Sequence, residues 1–388
     1  MQGLPLWPFP RLFGPIVVTL TLVLWYLYAR LRRSLRQLRH FDALVARSTG
    51  PAARPLPRRL AWDRGIGSGI FLAAFYLLLF RGISFLPWFK ADHNGGAILM
   101  SFSFLFLGPF AAGYLTVTQA PSRKPWRVRE WILMPWIPVF LNIILALSFL
   151  WEGIICVVFI LPPAMISASL GGVLAGWTQR YRHRQSSRAT MLCLAVAPLL
   201  LAMVETRLNQ PLQTRTVETA IVIHAPAAVI WHNIERVPAI APSELRGTWA
   251  NAIGFPRPIE ATLSHEGVGG VRNASFERGL NFIETVTAWE PDHRIAFSIK
   301  ADTAHIPPTT LDEHVTIGGR FFDVLEGEYN LETRPSGDIL LHLTSHQRLS
   351  TDFNLYAAMW SDAVMRDVQN NILHVVQHRC ETAAASIH

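Results

Sequence analysis

The sequence predicts a multi-pass α-helical membrane bundle followed by an α+β domain, in which an antiparallel sheet packs with a long C-terminal helix. Three observations carry this. Residues 1–204 hold 21 Lys plus Arg against 5 Asp plus Glu, and the rest holds 14 against 22, so the net +8 is the sum of a +16 half and a −8 half. Apolar runs near the length of a membrane span are confined to the basic half. Period-two alternation, the mark of half-buried strands, begins only after Thr216.

In the basic half, six segments approach the length that a spanning helix needs, at about residues 14–28, 66–88, 97–117, 131–150, 153–177 and 189–204. Arg81 interrupts the second near one end, where a long side chain can snorkel. Pro162 and Pro163 are expected to kink the fifth, and Gly171, Gly172 and Gly176 suit close helix packing. Basic residues cluster in alternate loops. Ten Arg lie between Arg30 and Arg64; Arg123, Lys124, Arg127 and Arg129 follow, then Arg180, Arg182, Arg184 and Arg188. By the positive-inside rule these loops are cytoplasmic, which puts the acidic half outside a bacterial-type inner membrane. Charge held in short loops between apolar runs points to the lipid bilayer as partner and not to nucleic acid. The first segment lacks a small-residue cleavage site and is followed by Arg30, Arg32 and Arg33, so it reads as an anchor and not as a cleaved signal. Arg81, Glu152 and Asn142 are the only strongly polar groups in or beside the expected spans, which suits an anchoring bundle better than ion-coupled transport.

A polar linker at 205–215 leads to a domain at 216–380 and a short tail at 381–388. The order read from the sequence is a strand at 217–223, a helix opened by Ala225-Pro226, a second short helix at 238–245, six strands, and a helix at 354–379. The six strands fall at 259–264, 271–276, 281–289, 294–300, 321–332 and 339–349. Alternation assigns faces. Leu325, Tyr329 and Leu331 oppose Glu326, Glu328, Asn330 and Glu332; Ile295, Phe297 and Ile299 share one face; Leu341, Leu343, Ser345, Gln347 and Leu349 share another, with His342, Thr344 and His346 outside. Tyr356, Trp360, Val364 and Val368 recur at four-residue steps and form a stripe that can cover the sheet.

The start ETAIVIHAPAAVIWHNI and the stretch GVGGVRNASFERGLNFIETVTAWEPDHRIAFSI resemble the START-like (SRPBCC) superfamily, within it the polyketide cyclase/dehydrase and lipid-transport group. The likeness covers about residues 216–379 and none of the membrane half. It implies a helix-grip fold, a curved antiparallel sheet around a long C-terminal helix with an apolar cavity between them. Such domains include lipid carriers, hormone receptors and a few cyclases, so the resemblance implies a ligand class and not a reaction.

Pairing the hairpin about the turn at 277–280 sets Phe276 opposite Phe282, Ala274 opposite Glu284 and Arg272 opposite Val286, with Arg272 diagonal to Glu284. Two readings follow. In one, Arg272 and Glu284 form a polar handle in a pocket lined by Phe282, Phe297, Tyr329, Tyr356, Trp360 and Val364. In the other, the two charges are a structural ion pair or face water, and Trp231, Phe282, Phe297 and Trp360 are plain core. No catalytic residue is assigned, because HExxH, GxSxG, a phosphate loop and an oriented Cys-His pair are all absent from the sequence. No metal or cofactor is expected: His374 and His378 have no third ligand in view, and His342 and His346 lie about 13 Å apart along a strand. Of the three cysteines, Cys156 and Cys193 lie in apolar segments and Cys380 stands alone, so no disulfide framework is expected. The leading functional reading is membrane-anchored binding of a hydrophobic small molecule or lipid. The alternatives are a cyclase or dehydratase on a polyketide-like substrate, with Glu284, Tyr329 or a histidine as acid or base, and a transporter with a soluble sensor domain.

Overall fold

The computed structural model of the chain describes residues 58–83, 99–119, 126–149, 151–181, 188–205, 207–208, 210–302 and 317–385. The chain divides into two compact units, and the division does not follow the charge boundary. Asp92–Phe102 and Ile143–Pro163 belong with Val204–His388, and the rest of the apolar half forms the other unit.

The apolar half contains α1 (Arg58–Ile83), a π-turn (Ser103–Leu107) leading into α2 (Gly108–Thr118), α3 (Val128–Leu133), α4 (Trp136–Ser148), α5 (Ile154–Tyr181) and α6 (Arg188–Glu205). Two stretches, Val128–Ser148 and Ile154–Arg180, have the length and hydropathy to cross a membrane. Gly67–Ile83, Ser103–Thr118 and Thr190–Glu205 are apolar but shorter. At 1.5 Å per residue they reach roughly 24–26 Å, against about 30 Å for a hydrocarbon core. The segment expected at 97–117 falls short because it opens in turns and a π-helical segment. The one expected at 66–88 is described only to Ile83, and the one at 14–28 lies outside the described residues. Small residues set the packing. A Cβ at Gly113 of α2 would overlap the backbone of Ala168, one at Gly171 the carbonyl of Phe110, and one at Gly176 the Trp131 indole. α5 continues through Pro162 and Pro163. Each of these prolines lacks the N–H that its turn of helix requires.

In the second unit the order is β1 (Gln213–Ile223), α7 (Ala227–Glu235), α8 (Trp249–Ala252), β2 (Pro258–Leu263), β3 (Val271–Phe276), β4 (Asn281–Glu290), β5 (Arg294–Asp302), β6 (Phe322–Thr333), β7 (Ile339–Leu349) and α9 (Asn354–Ala385). The strands form one antiparallel sheet in the order β1-β7-β6-β5-β4-β3-β2. A meander from β2 to β7 is thus completed by β1, which returns beside β7. α9 packs on β1, β7, α7 and α8. This is the helix-grip architecture.

Three expectations are corrected. The helix expected at 238–245 does not form. Its backbone runs along β2 as far as Ile240 and then turns at 242–245, with Val237 and Ala261 exchanging two hydrogen bonds and Ile240 N–H donating to Ile259, while the Arg379 guanidinium donates to the carbonyls of Pro238 and Ala239. A bulge between Val324 and Glu326 breaks the alternation of β6, so its buried set is Val324, Gly327, Tyr329 and Leu331, with Leu325 outside it. On α9 the fully buried positions are Ala358, Asp362, Gln369, Asn371, Leu373, Val375, Val376 and Cys380, and the stripe Tyr356, Trp360, Val364 and Val368 is half-buried.

Polar contacts explain the α9 result. Arg215 of β1 donates to Asp362 (Nε to Oδ1, 2.8 Å), and Gln347 of β7 donates to the same carboxylate at 3.0 Å. One turn pair further on, Gln369 donates to Val217 O and Ser345 Oγ and accepts from Thr219. The first half of α9 is therefore held to β1 and β7 by a buried polar seam. Its second half is held by Leu373, Val376 and Cys380, which join Ile223, Ile230, Ile295, Leu341 and Leu343 in the main apolar core.

Candidate functional site

The site begins with a turn. β3 and β4 are joined by the single 3-10 turn Glu277–Gly279, where Arg278 and Gly279 take φ of 60° and 80°. These left-handed residues let Phe276 N–H donate to Leu280 O at 2.8 Å, which closes the hairpin tightly. The pairing shifts by two from the expected one: Ala274 faces Phe282, and Arg272 faces Glu284 directly rather than diagonally. Both charges point to the inner face, where Arg272 is 4% and Glu284 8% exposed, and they form an ion pair.

The surroundings of Arg272 come from successive strands. Its guanidinium carbon lies 5.3 Å from the centre of the Phe297 ring on β5, a cation–π distance. The Tyr329 hydroxyl on β6 is close enough to interact electrostatically with it. Burial works against the Arg272 charge, but the Glu284 carboxylate and then Tyr329 outweigh it, and the guanidinium is held above its usual pKa. Burial likewise raises the Tyr329 phenol, with Glu284 adding to the effect and Arg272 opposing it. Tyr329 is therefore a neutral hydroxyl at physiological pH. One donor is left over: Arg272 Nε is buried and has no acceptor among the described residues. A buried donor without a partner is rare and costly, by about 1–3 kcal/mol.

The remaining residues singled out from the sequence fall into two places. Phe282 sits one inward position from Glu284 along β4, edge-on to Phe276 at 5.3 Å, in an apolar cluster with Val237, Ala261, Ala274, Leu280, Ile317 and Val324. Tyr356 and Trp360 gather around Phe159 of α5 on the first turns of α9, and Val364 is half-buried one turn beyond Trp360. Sequence reasoning missed Phe159 and Ile155, which lie in a different part of the chain. It also missed the buried seam of Arg215, Asp362 and Gln369, for which the signal was present. Ser345 and Gln347 stand on an otherwise apolar strand face, and such groups require polar partners. His374 bonds Arg246 and Gln377, and among the described residues no three His, Cys, Asp or Glu side chains converge on one point.

Chemically, the inner face offers one charged donor, one neutral hydroxyl and an apolar wall. The Arg272 Nε donor would be satisfied by a single acceptor group, such as a carbonyl, carboxylate or phosphate oxygen. The Glu284 carboxylate is committed to Arg272.

No protein-family model matches the chain, and no curated protein does. Solved structures with a similar fold include DynU16 of the dynemicin biosynthetic locus (14% identity, 44% of this chain, 49% of that one, TM-score 0.27), of whose length this chain therefore spans about half. They also include the Zhui aromatase/cyclase of Streptomyces sp. R1128 (16%, 45% and 98%, 0.29) and a truncated norcoclaurine synthase of Thalictrum flavum (12%, 42% and 95%, 0.27). At these scores they add no argument about activity. The strand order, the β3–β4 hairpin and the α9 grip seen in this chain stand by themselves: residues 213–385 have the START-like, helix-grip fold.

Proposed function

We propose that this protein binds a hydrophobic small molecule or lipid in its helix-grip domain and holds it next to a membrane. The observation that carries the proposal is the unpartnered Arg272 Nε, buried within an apolar wall and beside a neutral phenol. A ligand with an apolar body and one acceptor oxygen would complete that hydrogen-bond set. Phe282, Phe297, Tyr329, Tyr356, Trp360 and Val364 are its proposed contacts, with Arg272 and Glu284 as the polar handle. The ion pair serves ligand binding by keeping the guanidinium charged and aimed.

The cyclase or dehydratase reading is less well supported, because Glu284 is bound by Arg272 and Tyr329 resists ionisation. The proposed setting is a bacterial-type inner membrane that the apolar half crosses, with the Arg-rich loops in the cytoplasm and the grip domain outside. Two span-length helices and the placement of basic residues support it.

The test is to purify the full chain, extract it and identify bound small molecules by mass spectrometry. Wild type is expected to carry a co-purifying amphiphile that the Arg272→Met/Glu284→Leu variant lacks. Empty wild-type protein, or equal loading of the variant, refutes the proposal.

A further inference from the structure

Building on that binding site, we infer that its ligand is a bilayer-resident amphiphile that arrives along α5, and that the first turns of α5 are the door. Ile143–Pro163 belongs to the same compact unit as the grip domain. Ile155, 5% exposed, is a member of the apolar cluster that contains Phe276, Leu280, Phe282 and Val324. One turn later Phe159 packs against the same cluster and lies tilted against Trp360, with ring centres 4.8 Å apart. An apolar helix thus occupies the side of the cluster between the β3–β4 hairpin and the start of α9.

The tandem proline supplies the latch. In a helix the carbonyl of residue i accepts from the N–H of residue i+4, and for Phe159 that residue is Pro163, which has none. The Tyr356 hydroxyl donates to this carbonyl at 2.6 Å. Pro163 therefore exposes an acceptor where Tyr356 of α9 takes it up. A sequence reading assigns the two prolines to a kink; here one of them creates a docking point.

The direction of access follows from what the door is made of. The residues at the cluster begin a helix that continues to Arg180 as one of two span-length apolar stretches. Beside the latch, α9 carries Leu355 and Met359 at 87% and 67% exposure, and Asn354 bonds Pro211 next to Leu212, itself 68% exposed. Large apolar side chains left this bare suit contact with lipid and not with water. A ligand dissolved in water would have to pass this apolar lip, whereas an amphiphile in the bilayer would reach the cluster along the start of α5, whose Ile155 and Phe159 pack with Phe282.

The test uses the full chain in phospholipid vesicles with a trace of a photoreactive phospholipid, and in parallel a water-soluble photoreactive fatty acid. Adducts are mapped by mass spectrometry to the β3–β4 peptide against time. The phospholipid probe is expected to label wild type, and Tyr356→Phe, which removes the latch hydroxyl, to speed labelling by about two- to tenfold, the worth of one hydrogen bond. Phe159→Ala is expected to act in the same direction and serves as the second variant should Tyr356→Phe fail to fold. Labelling by the soluble probe alone, or rates unchanged in both variants, overturns the door while leaving a binding site. Failure of both probes to label wild type overturns the binding site and the door together.

Discussion

Glu284→Gln removes one charge from a pair that has almost no access to water, since Arg272 and Glu284 are 4% and 8% exposed. The amide keeps the shape of the side chain but leaves a guanidinium buried without a counter-charge. Breaking a buried pair in this way costs about 3–5 kcal/mol. For a unit of this size each kcal/mol lowers the melting temperature by roughly 2–4 °C, so the variant is expected to melt roughly 6–20 °C below wild type. Arg272→Met/Glu284→Leu removes both charges and their desolvation, and is expected to be as stable as wild type or more stable by up to about 4 kcal/mol, and so to melt at the wild-type temperature or above it. Melting of the detergent-solubilised full chain, followed by near-UV circular dichroism, measures both. A Glu284→Gln melting point within about 2 °C of wild type would refute the reasoning, because the pair would then be exposed to water. So would a double variant as unstable as the single one. Stability retained with ligand lost in the double variant separates the two roles of the pair.

Gly176→Leu places a side chain where the Trp131 indole already lies, and is expected to cost at least 1–3 kcal/mol by overpacking, an order-of-magnitude figure of about that size; it should show as lost monodispersity on size exclusion, and unchanged elution counts against the packing described. The Asp352 carboxyl is pushed up from 3.8 to about 6, first by burial and then by Glu205, with Arg320 opposing. Between those values the folded chain holds a proton that the unfolded chain has released, so stability at this site falls as pH rises through the window. Asp352→Asn should flatten that part of the stability–pH curve, and a curve of unchanged shape would exclude the assignment. Burial pushes the Cys380 thiol up to about 12, and its side chain has no exposure. It should resist iodoacetamide in the folded chain and react once the chain is unfolded in denaturant; rapid labelling of the native protein would contradict its place in the core.

Much of the sheet was legible from local pattern. The strands at 271–276 and 339–349 form with the expected bounds, and β7 buries Leu341, Leu343, Ser345, Gln347 and Leu349 as its alternation indicates. The site was only half legible. Spacing places Arg272 and Glu284 on one face of a hairpin, but their direct pairing depends on left-handed φ values at Arg278 and Gly279, and no residue-type pattern specifies these at an arginine. The β6 bulge was hidden for the same reason: one inserted residue changes the parity of a face without changing composition. The burial of Asp362 and Gln369 on α9 has no local signature, because they meet their partners from β1 and β7 only after the helix is seated.

The sequence by itself determined the separation of a basic, apolar half from an acidic, alternating one, and the run of seven strands closed by a long helix that makes a helix grip. Hydropathy and periodicity are properties of short windows, and they survive without knowledge of what lies opposite. Only the tertiary structure decided that Arg272 faces Glu284 with one donor left over, and that Phe159, some 200 residues from Tyr356 along the chain (197 by count), offers it the carbonyl that Pro163 leaves free. Those are long-range pairings, set by the closing of a turn and the meeting of two helices, and a window of sequence carries no record of them.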